Sequence, residues 1–467
     1  MNTIKQFSTP QLKKIHSGKV RESLRVDDQS RLIVVTDRVS CFDRIMKNTI
    51  PHKGAVLNGL ASAWLNKTRH IIDNHLLEVI DPNISLVREA EPIRVEMIVR
   101  KYLTGSIWRE YSKGNRCFSG VTLPDGLQRN DPFPEPIITP TTKDVVDVAI
   151  TPEEIVASGL VSKEHYEEMV SVSSKLFSFG YELCSSKNLI LVDTKYEFGL
   201  LDGKLILIDE IHTPDSSRFW CAEHYEKDSS KEYSLDKEFV RQWILSQPNS
   251  DKVTSLPREV VEEASRRYIM VYEALLGESP RTESEDIHRR MSENLQRSNI
   301  IKDGYISIVM ASRRDLDHAM KIKKEIEAYD VMIDFRVVSA HKNGEDIIPM
   351  AEEYNNSVEP GAVIAIAGRS NGLGGALSAN LAIPVINCPP FKDQVDMMIN
   401  LNSSLMMPTN APAATCIGAD AAAQMALRSL NLARLKKRFQ EEIVEVKAEL
   451  NKEDRRLREK AEEYAAQ

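Results

Sequence analysis

Two patterns of apolar and polar residues divide the chain. In the first part, β-prone runs such as residues 92–99 and 189–200 are joined by polar turns, and residues 162–186 have the apolar spacing of a helix. From Tyr305 onward, short apolar runs are each followed by a polar loop and a helical segment. A repeat of strand, loop and helix is typical of a doubly wound parallel sheet. The sequence therefore predicts two domains of different architecture.

The break between the two patterns lies at residues 279–300, where proline, serine and charged residues replace the hydrophobic periodicity. We therefore predict a first domain over residues 1–280, a linker over 281–303 and a second domain over 304–432. The remaining residues, 433–467, are highly charged and contain few apolar positions. We expect a helix there that is either solvated or bridges subunits.

Composition restricts the expected partners. The 467 residues include 61 Lys and Arg against 69 Asp and Glu, a net charge of −8, so there is no basic excess of the kind that binds nucleic acid. The six cysteines show no C-x-x-C spacing, which argues against zinc and for reduced thiols in a cytoplasmic protein. We expect neither a signal peptide nor a membrane span, because no apolar run approaches the roughly 20 residues that a span needs. Small molecules are the expected ligands.

The stretch that carries most chemistry is residues 189–211, which predicts two strands joined at Asp202-Gly203. In the first strand, Asp193, Lys195 and Glu197 alternate with apolar residues, so all three project from one face. Six acidic residues, two lysines and an arginine lie within residues 191–220, which is more charge than an idle hairpin needs.

The turn decides whether Asp209 joins that face. A two-residue loop places Glu197 opposite Ile208 and turns Asp209 away, whereas a three-residue loop over residues 201–203, with its glycine in a left-handed bulge, places Lys195 opposite Asp209. We predict the three-residue loop. Glu197 and Asp209, roughly 7 Å apart along the diagonal, would then hold one Mg²⁺. The alternative is a solvated hairpin whose charges keep a sheet edge soluble.

Two groups of residues could bind anions in the first part. Gly18 permits a close backbone approach, and Lys19 and Arg21 beside it can neutralise phosphate charge, although a hairpin with surface lysines is the plain alternative. Arg218 follows a turn next to the carboxylate face and offers a bidentate guanidinium.

A third candidate begins at Arg100, which precedes a turn into a helix. Thr104, Gly105 and Ser106 at the start of that helix offer amides and hydroxyls to an anion, or form an ordinary N-cap.

In the second part, the polar loops that follow the predicted strands carry the candidate groups. Ligands of doubly wound sheets bind beyond the carboxyl ends of the strands, so we expect these loops to converge there. The side chains predicted to meet are Ser312, Asp315, Ser339, His341, Lys342, Arg369 and Ser370. The glycine-rich loop at residues 368–374 is not a P-loop, because no Lys-Ser or Lys-Thr pair follows it.

The first domain resembles the phosphoribosylaminoimidazole-succinocarboxamide (SAICAR) synthase family over about residues 10–275. The motifs that carry the resemblance are, in order, SGKVR (17–21), TDRVS (36–40), VRKYLTGS (99–106), KYEFG (195–199) and DEIHTPDSSR (209–218). The resemblance implies an α+β fold with a kinase-like ATP cleft. It also implies an enzyme that joins L-aspartate to carboxyaminoimidazole ribotide (CAIR) with cleavage of ATP.

The resemblance further implies a role for each candidate residue. These roles are ATP-phosphate binding by Gly18, Lys19 and Arg21, Mg²⁺ binding by Glu197 and Asp209, binding of the ribotide and its phosphate by Arg100, Ser106 and Arg218, and the reacting centre at Asp193 and Lys195. A carboxylate is a poor acyl donor, so we expect ATP to convert it to an acyl phosphate that the aspartate amine attacks. Metal and cations must neutralise the anions that meet.

The second domain resembles aminoimidazole ribonucleotide (AIR) carboxylases over about residues 304–432. SAHK (339–342) and AGRSNGLG (367–374) look like the animal class, which takes CO₂ directly, and the implied fold is flavodoxin-like, with no cofactor and an octameric assembly. The product, CAIR, is the substrate of the first domain. The enamine-like carbon of AIR attacks CO₂ or a bicarbonate-derived equivalent, and His341, beside Lys342, is a suitable carrier for the proton that leaves.

One loop departs from the carboxylase pattern. Where that family has Gly-Ser-X-Ser-Asp, this chain has Ala311 and Arg314 in place of the glycine and the second serine. Arg314 either binds phosphate in the serine's place or blocks the pocket. The sequence therefore favours a bifunctional enzyme of purine biosynthesis. The alternatives are a monofunctional synthase whose second domain only mediates oligomerisation, and an ATP-dependent kinase or ligase for another substrate.

Overall fold

The computed structural model describes residues 3–143, 148–230, 233–280 and 286–465. The chain divides into two compact units, one of residues 1–7 and 12–294, the other of residues 8–11 and 295–467. The short segment 8–11 packs with the second unit, where the hydroxyl of Thr9 donates a 2.5 Å hydrogen bond to Glu359. Within the predicted linker, a helix occupies Ile287–Arg297, and residues 281–285 lie outside the described residues.

The first unit is built mainly from antiparallel strands. Its described strands are β1 (Lys13–Ser17), β2 (Arg21–Arg25), β3 (Ser30–Val35), β4 (Arg38–Cys41), β5 (Arg44–Thr49), β6 (Leu76–Asp81), β7 (Ile84–Arg88), β8 (Glu91–Tyr102), β9 (Cys117–Phe118), β10 (Val121–Thr122), β11 (Pro132–Ile138), β12 (Thr141–Thr142), β13 (Leu189–Leu201), β14 (Lys204–Ile208) and β15 (Ser217–Cys221). Its described helices are α1 (Lys53–Lys67), α2 (Gly105–Ser112), α3 (Pro152–Ala157), α4 (Lys163–Ser185), α5 (Ala222–Lys227), α6 (Glu238–Leu245), α7 (Arg258–Leu276) and α8 (Ile287–Arg297), with a short 3₁₀ turn at Ser250–Lys252.

Two sheets position the functional residues of this unit. One has the strand order β1-β2-β3-β7-β6, and the other has the order β11-β8-β13-β14, with β12 added to β8 and β15 added to β13. Strand β13 is therefore covered by neighbours on both edges, and it is not part of an isolated hairpin. Helices α1, α4 and α7 pack on the sheets and enclose the main hydrophobic core.

Strand β13 changes the face that it turns to the core partway along its length. Leu191 and Phe198 both pack in the main core, although their positions have opposite phases of strand alternation. The pairing with β15 is irregular between Leu191 and Asp193. A β-bulge of this kind re-aims the residues that follow, so the charged residues from Asp193 to Glu197 lie on the face away from the core.

The predicted three-residue loop between β13 and β14 is wrong. Leu201 pairs with Lys204, so the loop consists of the two residues Asp202 and Gly203, with φ of 52° and 76°. Two consecutive positive φ values are typical of a type I′ turn, whose twist matches that of the flanking strands. The second strand accordingly ends at Ile208, opposite Glu197, and not at residue 211 as predicted. An Asp-Gly pair fits either loop length, so the residues alone did not select between them.

The second unit is a parallel α/β domain. Its described strands are β16 (Tyr305–Met310), β17 (Met332–Val337), β18 (Gly361–Ile366), β19 (Val385–Asn387) and β20 (Ala414–Thr415), and its helices are α9 (Leu316–Ile326), α10 (Ile347–Asn355), α11 (Gly372–Asn380), α12 (Gln394–Leu405), α13 (Ala419–Ser429) and α14 (Ala433–Ala465). Short 3₁₀ turns lie at Arg313–Asp315, Glu327–Tyr329 and Gly344–Asp346. The sheet order is β17-β16-β18-β19-β20 and the pairings are parallel, which confirms the predicted doubly wound sheet.

Alternation along β16 separates two apolar layers. Ile306, Ile308 and Met310 pack on one face with residues of α9, α13 and α14, whereas Tyr305 and Val309 pack on the other with residues of α10 and α11. Helices therefore cover both faces, as a sheet buried on both sides requires. Across the described residues, none of the helices is both long enough and apolar enough to span a membrane.

Candidate active site

A charged face crosses strands β8, β13 and β15 in the first unit. Asp193 of β13 pairs in register with Arg100 of β8 and with Arg218 of β15, and Glu197 pairs with Glu96. Asp193 and Glu197 are only 5% and 3% exposed, so a solvated edge hairpin is ruled out. Buried carboxylates need close partners, and the cations beside them supply these.

Asp193 is held between two arginines. Its Oδ2 atom forms a close ion pair with Arg218 and lies 3.4 Å from Nη1 of Arg100, whose Nε donates a 2.9 Å hydrogen bond to Thr139. Burial lowers the pKa of Arg100 to about 10. Burial also opposes the charge on Arg218, but Asp193 and Glu238 outweigh it and raise the pKa of that guanidinium above its ordinary value. Arg218 is therefore the closer partner of Asp193.

The predicted trio Arg100, Ser106 and Arg218 comes together at the start of helix α2. Gly105 has φ of 63°, and the guanidinium of Arg218 occupies the space that a Cβ atom at Gly105 would need. Only glycine permits both the backbone conformation and this approach. The three predicted residues line one cavity of about 300 Å³, together with Asp193 and other residues of the charged face.

Glu197 and Asp209 also meet, but not through the predicted loop. Asp209 follows the last paired residue of β14 and has φ of 62°, a left-handed conformation that redirects the chain. Both carboxylates line a second cavity of about 300 Å³. Arg21 of β2 forms close ion pairs with Asp209 and with Glu210. The convergence that we predicted from a bulge is therefore produced by the backbone of Asp209.

Lysines separate the carboxylates of this face. Nζ of Lys195 lies 2.8 Å from Glu96 and pairs closely with Glu197, which also pairs closely with Lys143. Burial and the charge of Asp209 raise the pKa of Glu197 despite these lysines. Burial opposes ionisation of Asp209 as well, but Arg21, Lys195 and Lys143 outweigh it and hold the pKa of that carboxyl well below its usual range.

The pair Glu197 and Asp209 fits a metal ion that is shared with phosphates. Among the described residues, no group of three or more His, Cys, Asp or Glu side chains is arranged to hold a metal. Mg²⁺ typically binds through one or two carboxylates plus substrate phosphates, so a third protein ligand is not needed. Burial and the nearby charge of Asp209 raise the pKa of Glu197, and a cation bound at the two carboxylates would lower it.

The predicted phosphate loop lies at the mouth of the same cavity. The amide of Gly18 donates a 2.8 Å hydrogen bond to the carbonyl of Arg21, which closes a tight turn between β1 and β2. Arg38 donates to the carbonyl oxygens of Gly18 and Lys19 at 2.9 and 3.0 Å and so fixes the turn. Lys19 is exposed and pairs with Asp43 at 2.5 Å. Gly18, Lys19 and Arg21 all line the cavity that contains Glu197.

Several charged residues of this region were missed in the sequence. Asp215 is buried between Lys53 at 2.9 Å and Lys237 at 3.7 Å, and it accepts a 2.9 Å hydrogen bond from Tyr268. Burial opposes its charge, but the two lysines outweigh it and hold the pKa of Asp215 far below its usual range. Asp215 lies within the DEIHTPDSSR motif, which could have identified it, whereas Lys53 and Lys143 carry no local signal.

In the second unit, the strand ends bring the predicted loops to one edge. Met310 at the end of β16 pairs with Val337 of β17 and with Ile366 of β18, so the following loops leave the sheet side by side. The ring of His341 lies against the backbone of Gly372, where a Cβ atom would be 2.8 Å from Cε1 of the imidazole. The second and third loops are therefore in contact at the predicted proton carrier.

The remaining predicted residues lie in the loops at this edge, but their side chains do not form a shared network of hydrogen bonds. Ser312 accepts a 3.3 Å hydrogen bond from the amide of Arg314, and burial raises the pKa of Asp315. The amide of Ser339 donates to Asn343, and Arg369 has a left-handed backbone whose amide donates to Asn400. Within the described residues, no hydrogen bond or ion pair links the side chains of Lys342, Arg369 and Ser370 to one another or to His341.

The fold and the site together indicate a class of enzyme. Two cavities share one charged strand face, and they carry separate sets of anion-binding groups. An antiparallel domain with this arrangement suits an enzyme that couples a nucleotide to a second anionic substrate, and a parallel α/β domain with its own loop cluster follows in the same chain.

Comparison with known proteins identifies the family. The SAICAR synthetase family matches residues 14–256, and the AIR carboxylase family matches residues 305–453. The chain therefore belongs to the SAICAR synthetase family and also carries an AIR carboxylase domain. The presence of both domains supports a bifunctional enzyme of purine biosynthesis over a synthase whose second domain only assembles it.

Individual relatives agree with the first of these matches. The chain is 44% identical over 292 residues to the phosphoribosylaminoimidazole-succinocarboxamide synthase of Azobacteroides pseudotrichonymphae, which covers 60% of this chain and 90% of that protein. It is 41% identical over 309 residues to the synthase of Flavobacterium psychrophilum, covering 63% and 98%. The structure of SAICAR synthase from Saccharomyces cerevisiae complexed with SAICAR matches with 33% identity and a TM-score of 0.55, covering 61% of this chain and 100% of that one.

Proposed function

We propose that the first unit joins CAIR and L-aspartate with cleavage of ATP, giving SAICAR, ADP and phosphate, and that the second unit makes CAIR from AIR and CO₂ or bicarbonate. The assignment of the first unit rests on strand β13, which contributes residues to both cavities. Asp193 and Lys195 line the cavity of Arg100 and Arg218, and Glu197, two residues further on, lines the cavity of the phosphate loop. Residues two apart on one strand face are separated by roughly 6.6 Å, so a ribotide in one cavity and a nucleotide in the other can react across Lys195.

The proposed reaction has two steps. A carboxylate oxygen of CAIR attacks the γ-phosphorus of ATP, forming a C–O–P linkage and releasing ADP. The amine of aspartate then attacks the acyl carbon, the C–N bond forms as the C–O bond to phosphate breaks, and the amine gives up a proton. Lys195 and Arg21 stabilise the charge that gathers on the phosphoryl oxygens, because they are fixed before the reaction by their carboxylate partners.

Glu197 and Asp209 are the residues proposed to hold Mg²⁺, with Gly18, Lys19 and Arg21 around the phosphates. A bound Mg²⁺ would neutralise the negative charge of the phosphates. Lys143 is 43% exposed, which gives it freedom to exchange Glu197 for a phosphate when the nucleotide enters.

In the second unit we assign the proton transfer to His341. The enamine-like carbon of AIR attacks CO₂, a C–C bond forms, and the proton on that carbon leaves to the imidazole. The ring of His341 contacts the backbone of Gly372 in a loop at the carboxyl edge of the sheet, the edge at which ligands of such folds bind, and this supports the assignment. Arg314 is exposed in the middle of the 3₁₀ turn Arg313–Asp315, which favours a role in phosphate binding over obstruction of the pocket.

Finer structural features belong to the same proposal. The nucleotide cavity lies between residues of two antiparallel sheets, which supports a kinase-like cleft. The strand order β17-β16-β18-β19-β20 is that of flavodoxin-like sheets, which supports that description of the second unit. Exposed apolar side chains on α12, including Val395, Met398 and Ile399, support a homo-oligomer, for which we retain an octamer formed by the second unit. A cytoplasmic location rests on the cysteine pattern.

One experiment tests both assignments. Purified protein is incubated with AIR, bicarbonate, Mg²⁺, ATP and L-aspartate, and SAICAR is followed in parallel with a reaction that starts from CAIR. We expect SAICAR from both mixtures. Product from CAIR alone would refute the carboxylase assignment, and no product from CAIR would refute the synthase assignment.

A further inference from the structure

Two of the six cysteines lie side by side at the carboxyl edge of the second sheet. Cys388 directly follows β19 and Cys416 directly follows β20, and these strands pair in parallel with Asn387 opposite Thr415. The amide of Cys416 donates a 2.9 Å hydrogen bond to the carbonyl of Asn387, so the two cysteines occupy the next neighbouring positions. Both side chains pack in the apolar layer that includes residues of α9 and α13, and both are free thiols.

The positions of the two thiols suit a disulfide bond. Neighbouring strands of a sheet lie about 4.8 Å apart, and the Cα atoms of a disulfide are usually roughly 4.4–6.8 Å apart. Strand β20 consists of only two residues and lies at the end of the strand order, so it has little pairing that resists a small adjustment. The fold therefore allows the two sulfur atoms to bond without a change of topology.

The two thiols differ in their access to solvent and in their neighbours. Cys416 is half-buried, and burial and the charge of Asp420 raise the pKa of its thiol. Cys388 is fully buried, and burial raises the pKa of its thiol to about 12, so it needs a base beside it in order to react as a thiolate. Nε2 of His318 lies 3.2 Å from the Sγ atom of Cys388. Burial lowers the pKa of His318, which keeps the imidazole neutral and able to accept that proton.

The buried thiol is connected to the proposed carboxylase site through the residue before it. Asn387 is fully buried, and its side-chain amide occupies the position that a Cβ atom at Gly374 would take. The ring of His341 contacts the backbone of Gly372 in the same glycine-rich loop. Close-packed interiors transmit small displacements. A new covalent bond at Cys388 therefore alters the support of the loop against which His341 lies.

We propose that Cys388 and Cys416 are an oxidisable thiol pair that forms a disulfide and slows the carboxylase step. The effect on the carboxylase rests on the proposed function of the second unit. The formation of the disulfide does not rest on it, because it depends only on the two thiols and His318.

Hydrogen peroxide is the oxidant of the proposed reaction. The sulfur of Cys416, the more accessible thiol, attacks one peroxide oxygen and breaks the O–O bond, which gives a sulfenic acid and one water. The sulfur of Cys388 then attacks the sulfur of Cys416 while its proton passes to His318. The S–O bond breaks, and the departing hydroxide takes that proton and leaves as a second water. Two thiols are oxidised by two electrons in total, and one peroxide is reduced to two waters.

The test maps the thiols of the full-length protein after treatment with hydrogen peroxide and alkylation. Trypsin places Cys388 in the peptide of residues 370–392 and Cys416 in the peptide of residues 393–428, so mass spectrometry detects the disulfide as a linked pair of these peptides. SAICAR formation from AIR and from CAIR is measured on the same samples with ATP and L-aspartate saturating. Cys416→Ser is the main variant, and Cys117→Ser, which replaces an exposed cysteine of the first unit, is the matched control. Circular dichroism verifies folding.

We expect the linked peptides in the oxidised wild type and in Cys117→Ser, but not in Cys416→Ser. The rate from AIR should fall in proportion to the linked fraction and recover on reduction with dithiothreitol, and in Cys416→Ser it should resist the same treatment. The rate from CAIR should stay unchanged.

Three results would overturn these assignments separately. Absence of linked peptides from the wild type, at a peroxide concentration that oxidises Cys117, would overturn the thiol pair. An unchanged rate from AIR with the pair linked, or an equal fall in Cys416→Ser, would overturn its effect on the carboxylase. A wild type that makes SAICAR from CAIR but not from AIR before any oxidation would instead overturn the carboxylase function, and the peptide map would still decide the disulfide.

Discussion

The substitution Asp209→Asn separates catalysis from folding at the proposed metal pair. Asparagine has nearly the same shape as aspartate and tolerates the left-handed backbone that this position requires, where φ is 62°. Arg21 keeps its close ion pair with Glu210 when Asp209 loses its charge. The destabilisation should therefore be smaller than the roughly 3–5 kcal/mol that follows when a buried charge is left without a partner.

The catalytic effect should be much larger. The variant loses one of the two carboxylates proposed to hold Mg²⁺ at the phosphates. Removing one preorganised electrostatic group from an active site costs about 2.7–4 kcal/mol, or a factor of about 10² to 10³ in kcat. We therefore expect SAICAR formation from CAIR to fall to about 1% of the wild-type rate or less, and the Mg²⁺ concentration that gives half of the maximal rate to rise.

The control is Asp202→Asn, the same chemical change at an exposed turn residue that also has a left-handed backbone, with φ of 52°. Both variants are assayed with CAIR, ATP and L-aspartate at several Mg²⁺ concentrations, and their unfolding is followed with urea. Near-normal turnover of Asp209→Asn would refute the metal role. An equal loss in Asp202→Asn, or a loss explained by unfolding alone, would refute the electrostatic reasoning.

Three further predictions concern single side chains. His341→Asn should abolish SAICAR formation from AIR but not from CAIR, and retained carboxylation would exclude His341 as the proton carrier. Asp215→Asn should lower the free energy of unfolding by about 3–5 kcal/mol, because it leaves the buried ammonium of Lys53 without its main partner. The control Asp43→Asn breaks an exposed ion pair and should change the free energy of unfolding by less than about 1 kcal/mol. Equal effects of the two substitutions in urea denaturation would contradict this prediction. Burial raises the pKa of Asp236 to about 7. Between about pH 4 and pH 7 the folded state therefore keeps a proton on this carboxyl that the unfolded chain has lost. The contribution of Asp236 to the free energy of unfolding consequently falls as the pH rises across that range. The free energy of unfolding of Asp236→Asn relative to the wild type should then rise by on the order of 1 kcal/mol per pH unit across that window, and parallel pH profiles would refute it.

The charged face of the synthase unit could be predicted only in part. Alternation identified Asp193, Lys195 and Glu197 as one face, and the paired strands place them so. The partners of these residues come from β8 and β15, which lie about a hundred residues before and some twenty residues after them. Sequence spacing contains no record of which strands become neighbours, so Glu96 and Lys143 went unnoticed.

The loop after β13 shows a different limit. Both loop lengths suit Asp-Gly, and the twist of the assembled sheet favours the two-residue turn. The expected meeting of Glu197 and Asp209 still occurs, because Asp209 itself adopts a left-handed conformation at the strand end. The conclusion was right and the stated cause was wrong.

The local sequence pattern determined the main strands and helices of this protein and the chemical character of its loops. Periodicity alone placed the first strand of the second domain at Tyr305, where β16 begins, and predicted the parallel sheet, because alternation and helical spacing are local properties of the sequence. Tertiary structure alone decided which cations share a carboxylate, how Lys53 comes to be fully buried against Asp215, and that Lys237 and Arg241 face the cavity of Arg218. These relations depend on the packing of distant segments, where burial removes water and leaves each charge to the partners that the fold supplies.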